Sequence, residues 1–160
     1  MAELTSHQIL LRVRLSARYH QQRRRVYLRR ARWAAYFNIA ASLGMVAAVL
    51  KDAPLWLQLG LPFAITLFTL ADTLFGWTAQ AFDHQALYRR WMEVERWLVG
   101  SELSDEGDLR EAMQRIVAIE ADEPPENRFA VDLCDNELLR AEGHEPHHAV
   151  GFLGRLAAAV

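Results

Sequence analysis

The residues best suited by type to chemistry lie near the carboxyl end, where His144, Glu145, Pro146, His147 and His148 spell the H-E-x-x-H order of a zinc protease. That motif works only when one helix presents both outer histidines on the same face, with the glutamate beside a metal-bound water. Pro146 falls inside it, and a proline in a helix interior removes a backbone donor and costs about 3 kcal/mol. The run therefore does not predict a metalloprotease. A loose metal contact through His147 and His148 is the weaker claim it leaves, and no metal site is assigned. Cys134 is the single cysteine, which excludes an internal disulfide and fits a reducing compartment. No glycine-rich phosphate loop occurs, no serine or cysteine has a base set beside it, and the acids of residues 102–111 read as a solvated helix face. The chain is not expected to be an enzyme or to hold a cofactor.

A different set of polar residues stands inside apolar sequence. Thr66, Thr69 and Thr73 recur at i, i+3 and i+7, with Gln58 eight residues before Thr66 on nearly the same line, and Asn38 and Ser42 are one turn apart. On a helix each set shares a face. In a membrane such side chains either line a pore or bond helices together. Ala40, Gly44 and Ala48 form a small-xxx-small stripe suited to close helix approach, within the chain or between copies as oligomer packing.

These residues lie in two apolar stretches. Trp33 to Leu50 holds eighteen residues without a formal charge, roughly 27 Å of helix, and Ala53 to Phe82 holds thirty with Asp72 as the only charged member. Backbone groups in lipid must be satisfied within their own segment, so two such stretches joined by Lys51, Asp52, Ala53 and Pro54 predict a transmembrane helical hairpin. Pro62 is expected to kink its second helix. A buried hairpin of a soluble bundle and a cleaved secretory signal are the alternatives. The stretches are long for the first, and about thirty Arg-rich residues precede them against the second.

Orientation follows from charge. Nine arginines (12, 14, 18, 23, 24, 25, 29, 30 and 32) precede the first stretch, while the turn between stretches holds one Lys and one Asp. The positive-inside rule then puts the amino terminus in the cytoplasm, and two crossings return the carboxyl terminus there. Trp33, Tyr36 and Trp77 would mark the inner interface and Trp56 the outer one. Residues 1–50 carry nine Arg against Glu3, a net of +8, and residues 83–160 carry eight Arg against seventeen acids, a net of −9. Two arms of opposite charge on one membrane face should associate, and the arginines should also meet anionic lipid, each worth about 1 kcal/mol near the surface. Nucleic-acid binding by Arg23, Arg24 and Arg25 is disfavoured so close to a membrane. If Leu50 and Leu55 sit at equal depth, Asp72 stands level with Trp33, which predicts an Arg32–Asp72 ion pair at the inner interface. A ring of Asp72 carboxylates at a pore mouth is the rival arrangement.

The arms read as helices. Leu87, Trp91, Val94 and Leu98 make one apolar stripe on a helix that continues out of the second crossing and ends at Gly100 and Ser101. Ser104 is a candidate cap, with Asp105 and Glu106 in the first turn, for a helix that buries Leu109, Ala112, Met113, Ile116 and Ile119. Glu123, Pro124 and Pro125 force a turn before a last helix with Phe129, Ala130, Leu133, Cys134, Glu137, Leu138 and Ala141, closed by Gly143. The fold class is all-α: a basic helix over 7–32, a membrane hairpin over 33–50 and 55–82, and amphipathic cytoplasmic helices over 83–143. The tail 144–160 carries no clear pattern.

This order of pieces, with ADEPPENRFAVDLCDNELLRAEG after it, resembles the SLATT family of two-crossing bacterial membrane effectors. Glu123, Pro124 and Pro125 match the family's Glu-Pro-Pro turn, and Asn136 with Glu137 matches the polar pair of its final helix. The likeness runs from about Leu11 to Gly143, as one SLATT-like domain over 1–143. It implies a pore-forming effector of nucleotide-dependent and related conflict systems. A cytoplasmic sensor or nucleotide-signalling partner would trigger it in antiviral defence at the bacterial inner membrane. From the residues alone two classes stay open: a homo-oligomeric pore, since two crossings from one chain cannot enclose a channel, and a membrane-anchored scaffold or sensor.

Overall fold

In the computed structural model, residues 6–51, 53–100 and 106–158 are described, the side chains of Leu50, Glu106 and Leu156 excepted. Helix α1 spans Ser6–Leu50 without interruption. The basic helix and the first apolar stretch are thus one element, because no proline precedes Pro54 and most of the run is Ala, Leu, Arg and other residues of high helix propensity. Then come α2 (Leu55–Phe75), α3 (Trp77–Gly100), α4 (Glu106–Glu120), α5 (Arg128–Ala141) and α6 (Phe152–Ala158). No strand occurs among the described residues. The chain divides into two units, one of Met1–Arg24 with Asp83–Val160 and the other of Arg25–Phe82.

The second apolar stretch does not run straight into the following helix. The helix passes through Pro62 but stops at Gly76, which adopts φ 58°, ψ 33° and donates its N–H to the Asp72 carbonyl at 2.8 Å. Only glycine enters this left-handed region without a Cβ penalty, so the chain re-aims there, and the Gly76 carbonyl accepts from Gln80 to start α3. Within the Arg25–Phe82 unit, Phe37 stacks on Phe68 with ring centres 4.9 Å apart, and a Cβ at Gly44 would stand 3.4 Å from Leu61. The later of these α1 residues, Gly44, meets the earlier α2 residue, Leu61, so the chain directions are opposed where these side chains touch. Most of their large apolar side chains face outward, including Leu43, Phe63 and Leu74. By length and composition Leu55–Gly100 is long and apolar enough to cross a membrane, and its apolar stretch is not buried within the chain.

The other unit has an aqueous-type core. Ile9, Val13 and Ala17 of α1, Leu87, Trp91, Val94 and Leu98 of α3, and Ala112, Ile116 and Ile119 of α4 are buried together. Each set repeats at helical spacing, and Leu109 and Met113 pack at its edge. Arg12–Glu120 and Arg14–Glu95 link the basic end of α1 to acids of the later helices. Both pairs are partly solvated, so each contributes at most about 1 kcal/mol. The proposed cap at Ser104 lies outside the described residues.

Helix α5 begins at Asn127, whose side chain accepts from the Ala130 N–H, and closes through Gly143 at φ 82°. It is not the last helix. The tail folds onto it: Asn136 donates to the His148 carbonyl at 2.7 Å and accepts from the His148 N–H at 3.0 Å. Gly154 packs so closely on Val150 and Phe129 that a Cβ would come within 2.9 Å and 3.1 Å of them. A second core of Tyr19, Ala130, Cys134 and Ala158 joins α1, α5 and α6.

Candidate functional site: a polar seam and a buried polar cluster

The polar residues of the apolar helices are almost all engaged within one chain. Asn38 Nδ2 donates to Thr69 Oγ1 at 3.1 Å and so links the two helices. Ser42 donates to the Asn38 carbonyl, Thr66 to the Pro62 carbonyl and Thr73 to the Thr69 carbonyl, each four residues back along its own helix. Gln58 Nε2 donates to the Ala53 carbonyl at 2.7 Å and so caps the turn. This is how hydroxyls and amides are satisfied where water is absent. The small-residue stripe divides: Gly44 lies against Leu61 and Ala48 is buried within the chain, whereas Ala40 is exposed.

The Arg32–Asp72 ion pair does not form. Asp72 sits in the last turn of α2, and beyond the left-handed Gly76 the Thr78 hydroxyl donates to Asp72 Oδ2 at 3.3 Å. The other carboxylate oxygen is enclosed without a hydrogen bond, and Arg32 is exposed. The pairing register expected for the two helices agrees with the Phe37–Phe68 and Gly44–Leu61 contacts, so depth is not the reason for the missing pair. The turn after Asp72 supplies a nearer donor.

In the other unit the Glu-Pro-Pro turn has a role beyond ending a helix. Glu123 Oε1 accepts from Trp91 Nε1 at 2.6 Å and lies 2.8 Å from His20 Nε2. His20 Nδ1 lies 2.8 Å from His84 Nδ1, and Tyr19 meets both imidazoles edge-on. Pro124 and Pro125 are exposed. Burial raises the Glu123 carboxyl, but hydrogen bonds from His20 and Trp91 and the positive charge nearby outweigh it, and the group ionises below the usual carboxylate range. Burial, then the charges of His20 and Arg23, push His84 down to about 4. Of the polar pair expected in α5, Asn136 is buried and holds the tail, whereas Glu137 is exposed.

His144 to His148 lie in a non-helical segment, where His148 Nε2 pairs with Asp135 at 2.9 Å. Cys134 donates to Gln22 Oε1, and burial followed by the Glu137 charge pushes its thiol up to about 12, so it is a packed side chain and not a nucleophile. Sequence reasoning did not single out His20 and His84. The available signal was their place on apolar stripes, His20 after Ile9, Val13 and Ala17, and His84 before Leu87 and Trp91.

The fold and these contacts define the class as an all-helical protein with a helix long and apolar enough to cross a membrane. No family model, curated protein or solved structure matches the chain.

Proposed function

We propose that the protein is a homo-oligomeric pore-forming effector of the bacterial inner membrane, acting in a defence or conflict system when a cytoplasmic sensor or nucleotide-signalling partner triggers it. The end of α1 and α2 form its transmembrane hairpin, the helices of the other unit are cytoplasmic, and both termini lie on that side. The observation that carries the membrane reading is the outward apolar surface of the Arg25–Phe82 unit, where Leu43, Phe63 and Leu74 are 68 %, 70 % and 72 % exposed. So much apolar surface needs lipid or protein to cover it. The antiparallel contacts at Phe37–Phe68 and Gly44–Leu61 support a hairpin, and the arginines before Trp33 support its orientation. The pore and its biological role rest on the SLATT resemblance and on the polar seam.

A second reading, a membrane-anchored scaffold or sensor, is favoured by one observation. The hydroxyls of Ser42, Thr66 and Thr73 return to their own backbone, and Thr69 is engaged by Asn38. Helix bonding alone accounts for that seam. Purified protein in planar bilayers, with its mass measured in mild detergent, separates the readings. Discrete conductance steps from a multimer support the pore. A multimer or monomer that never conducts, with its cytoplasmic unit folded, leaves the scaffold.

A further inference from the structure

The core of the Met1–Arg24, Asp83–Val160 unit holds two histidines in a contact that admits a single proton. His20 and His84 are 1 % and 4 % exposed, with their Nδ1 atoms 2.8 Å apart. Ionised Glu123 accepts from Trp91 and from His20 Nε2, so His20 carries a proton on that nitrogen. One further proton lies between the two Nδ1 atoms. Whichever ring bears it, the other must offer a lone pair. If both rings were charged, two N–H groups would point at each other, each reaching about 1 Å across the gap and leaving under about 1 Å between hydrogens. The contact is incompatible with two imidazolium ions.

We propose that His20, His84 and Glu123 form a proton-sensitive clasp that holds α1, α3 and the α4–α5 turn together and opens when both histidines are charged. Titratable and charged groups face it from each of these elements: α1 supplies His20, Arg23 and Tyr19, whose hydroxyl accepts from the Asn127 N–H; α3 supplies Trp91 alongside His84; and the turn supplies Glu123 and the nearby Glu126 carboxyl. Arg23, 5 % exposed, adds a positive charge that opposes a second proton, while Glu123 favours one. Burial and positive charge prevail, and His84 stays neutral in the closed state down to about pH 4. Released from the clasp, it titrates near its ordinary 6.5. Protons then favour the open state, whose ratio to the closed state rises about 30-fold between pH 7.5 and pH 5. Helices α1 and α3 are also the two by which the chain continues into the Arg25–Phe82 unit. The clasp thus governs the elements through which a signal on this unit would pass, and the proposal holds whether or not a pore forms.

Cys134 is a built-in reporter, since it is the single thiol and is 1 % exposed in the same unit. The full chain in mild detergent is reacted with 4,4′-dithiodipyridine from pH 7.5 to 5, and each rate is divided by that of the urea-unfolded chain at the same pH. Protection of Cys134 falls about 30-fold in the native sequence. In His84→Asn, whose amide occupies the Nδ1 position and does not titrate, it changes less than about threefold. A fall of equal size in His84→Asn, or none in the native sequence, overturns the clasp. Should His84→Asn not fold, ¹⁵N spectra of the native histidines decide: one clasp imidazole still neutral at pH 5 supports the proposal, and two charged imidazoles in a folded chain overturn it.

Discussion

Replacing Glu123 by Ala tests whether the turn residue organises the core of the Met1–Arg24, Asp83–Val160 unit. The native carboxylate is 10 % exposed in its side chain and takes hydrogen bonds from Trp91, which is fully buried, and from His20. Hydrogen bonds to a charged partner contribute about 1.5 to 3 kcal/mol each, and a buried donor left unpaired costs about 1 to 3 kcal/mol. Two such donors are stranded by Glu123→Ala. If water reaches one of them, the loss is near the lower end, so a destabilisation of about 3 to 5 kcal/mol is expected. A folded unit has only about 5 to 15 kcal/mol in total, and this fraction shifts a urea midpoint visibly. Glu123→Gln keeps an acceptor and loses the charge, and should cost about 1 to 2 kcal/mol. Trp91→Phe removes one donor and some contact. Urea unfolding of the full chain in mild detergent, followed through Cys134 protection, measures all three. The reasoning is refuted if Glu123→Ala lies within about 1 kcal/mol of the native chain, or if Glu123→Gln is as damaging as Glu123→Ala.

Stability of the same unit should fall in acid: His84 is lowered from 6.5 to about 4, so its contribution is complete above 6.5 and is lost as pH falls toward 4, by roughly 3 kcal/mol at most at 1.36 kcal/mol per unit. Glu123, also lowered, contributes above its ordinary value and loses that contribution as pH falls through its folded value; Glu126, raised by burial and the Glu123 charge, acts in the opposite sense as pH rises through its own. Unfolding free energies at pH 7, 5.5 and 4.5 check the sum, which must decrease with acidity. Cys134 should stay unlabelled by maleimide in native, permeabilised cells, so topology is better read from Glu142→Cys and Ala53→Cys in a Cys134→Ala background, with Ala53→Cys labelled from the periplasm and Glu142→Cys only after permeabilisation. Gly44→Leu should disturb the helix pair inside one chain, because Leu61 already lies at contact distance, and cross-linking of cysteines at Phe37 and Phe68 should fall even where the oligomer mass is unchanged. Gly76→Ala meets no neighbour within 4 Å, so its cost of about 1 to 2 kcal/mol would be backbone strain alone, read as a lower thermal midpoint.

The helices and their inner faces were legible along the chain. Leu87, Trp91, Val94 and Leu98, and Ala112, Ile116 and Ile119, are buried where their spacing puts them, because a helix turns its side chains at a constant angle and water selects the apolar side. The apolar character of the two stretches was equally local, a matter of composition over about twenty residues. Partner choice was not local. Asp72 was expected to meet Arg32 from depth alone, but just past the left-handed Gly76 it meets the Thr78 hydroxyl instead, and a backbone sign change at one residue leaves no mark in hydropathy. The tail without a pattern acquired its place from Asn136, Gly154 and Phe129, residues whose fit depends on shapes brought together by α5. His20 and His84, sixty-four positions apart, looked like ordinary polar interruptions of apolar stripes. Only packing brought two imidazoles and the Glu123 carboxylate within 2.8 Å steps of each other. A hydrogen bond between distant side chains is set by the meeting of three elements, whereas the sequence records each element separately.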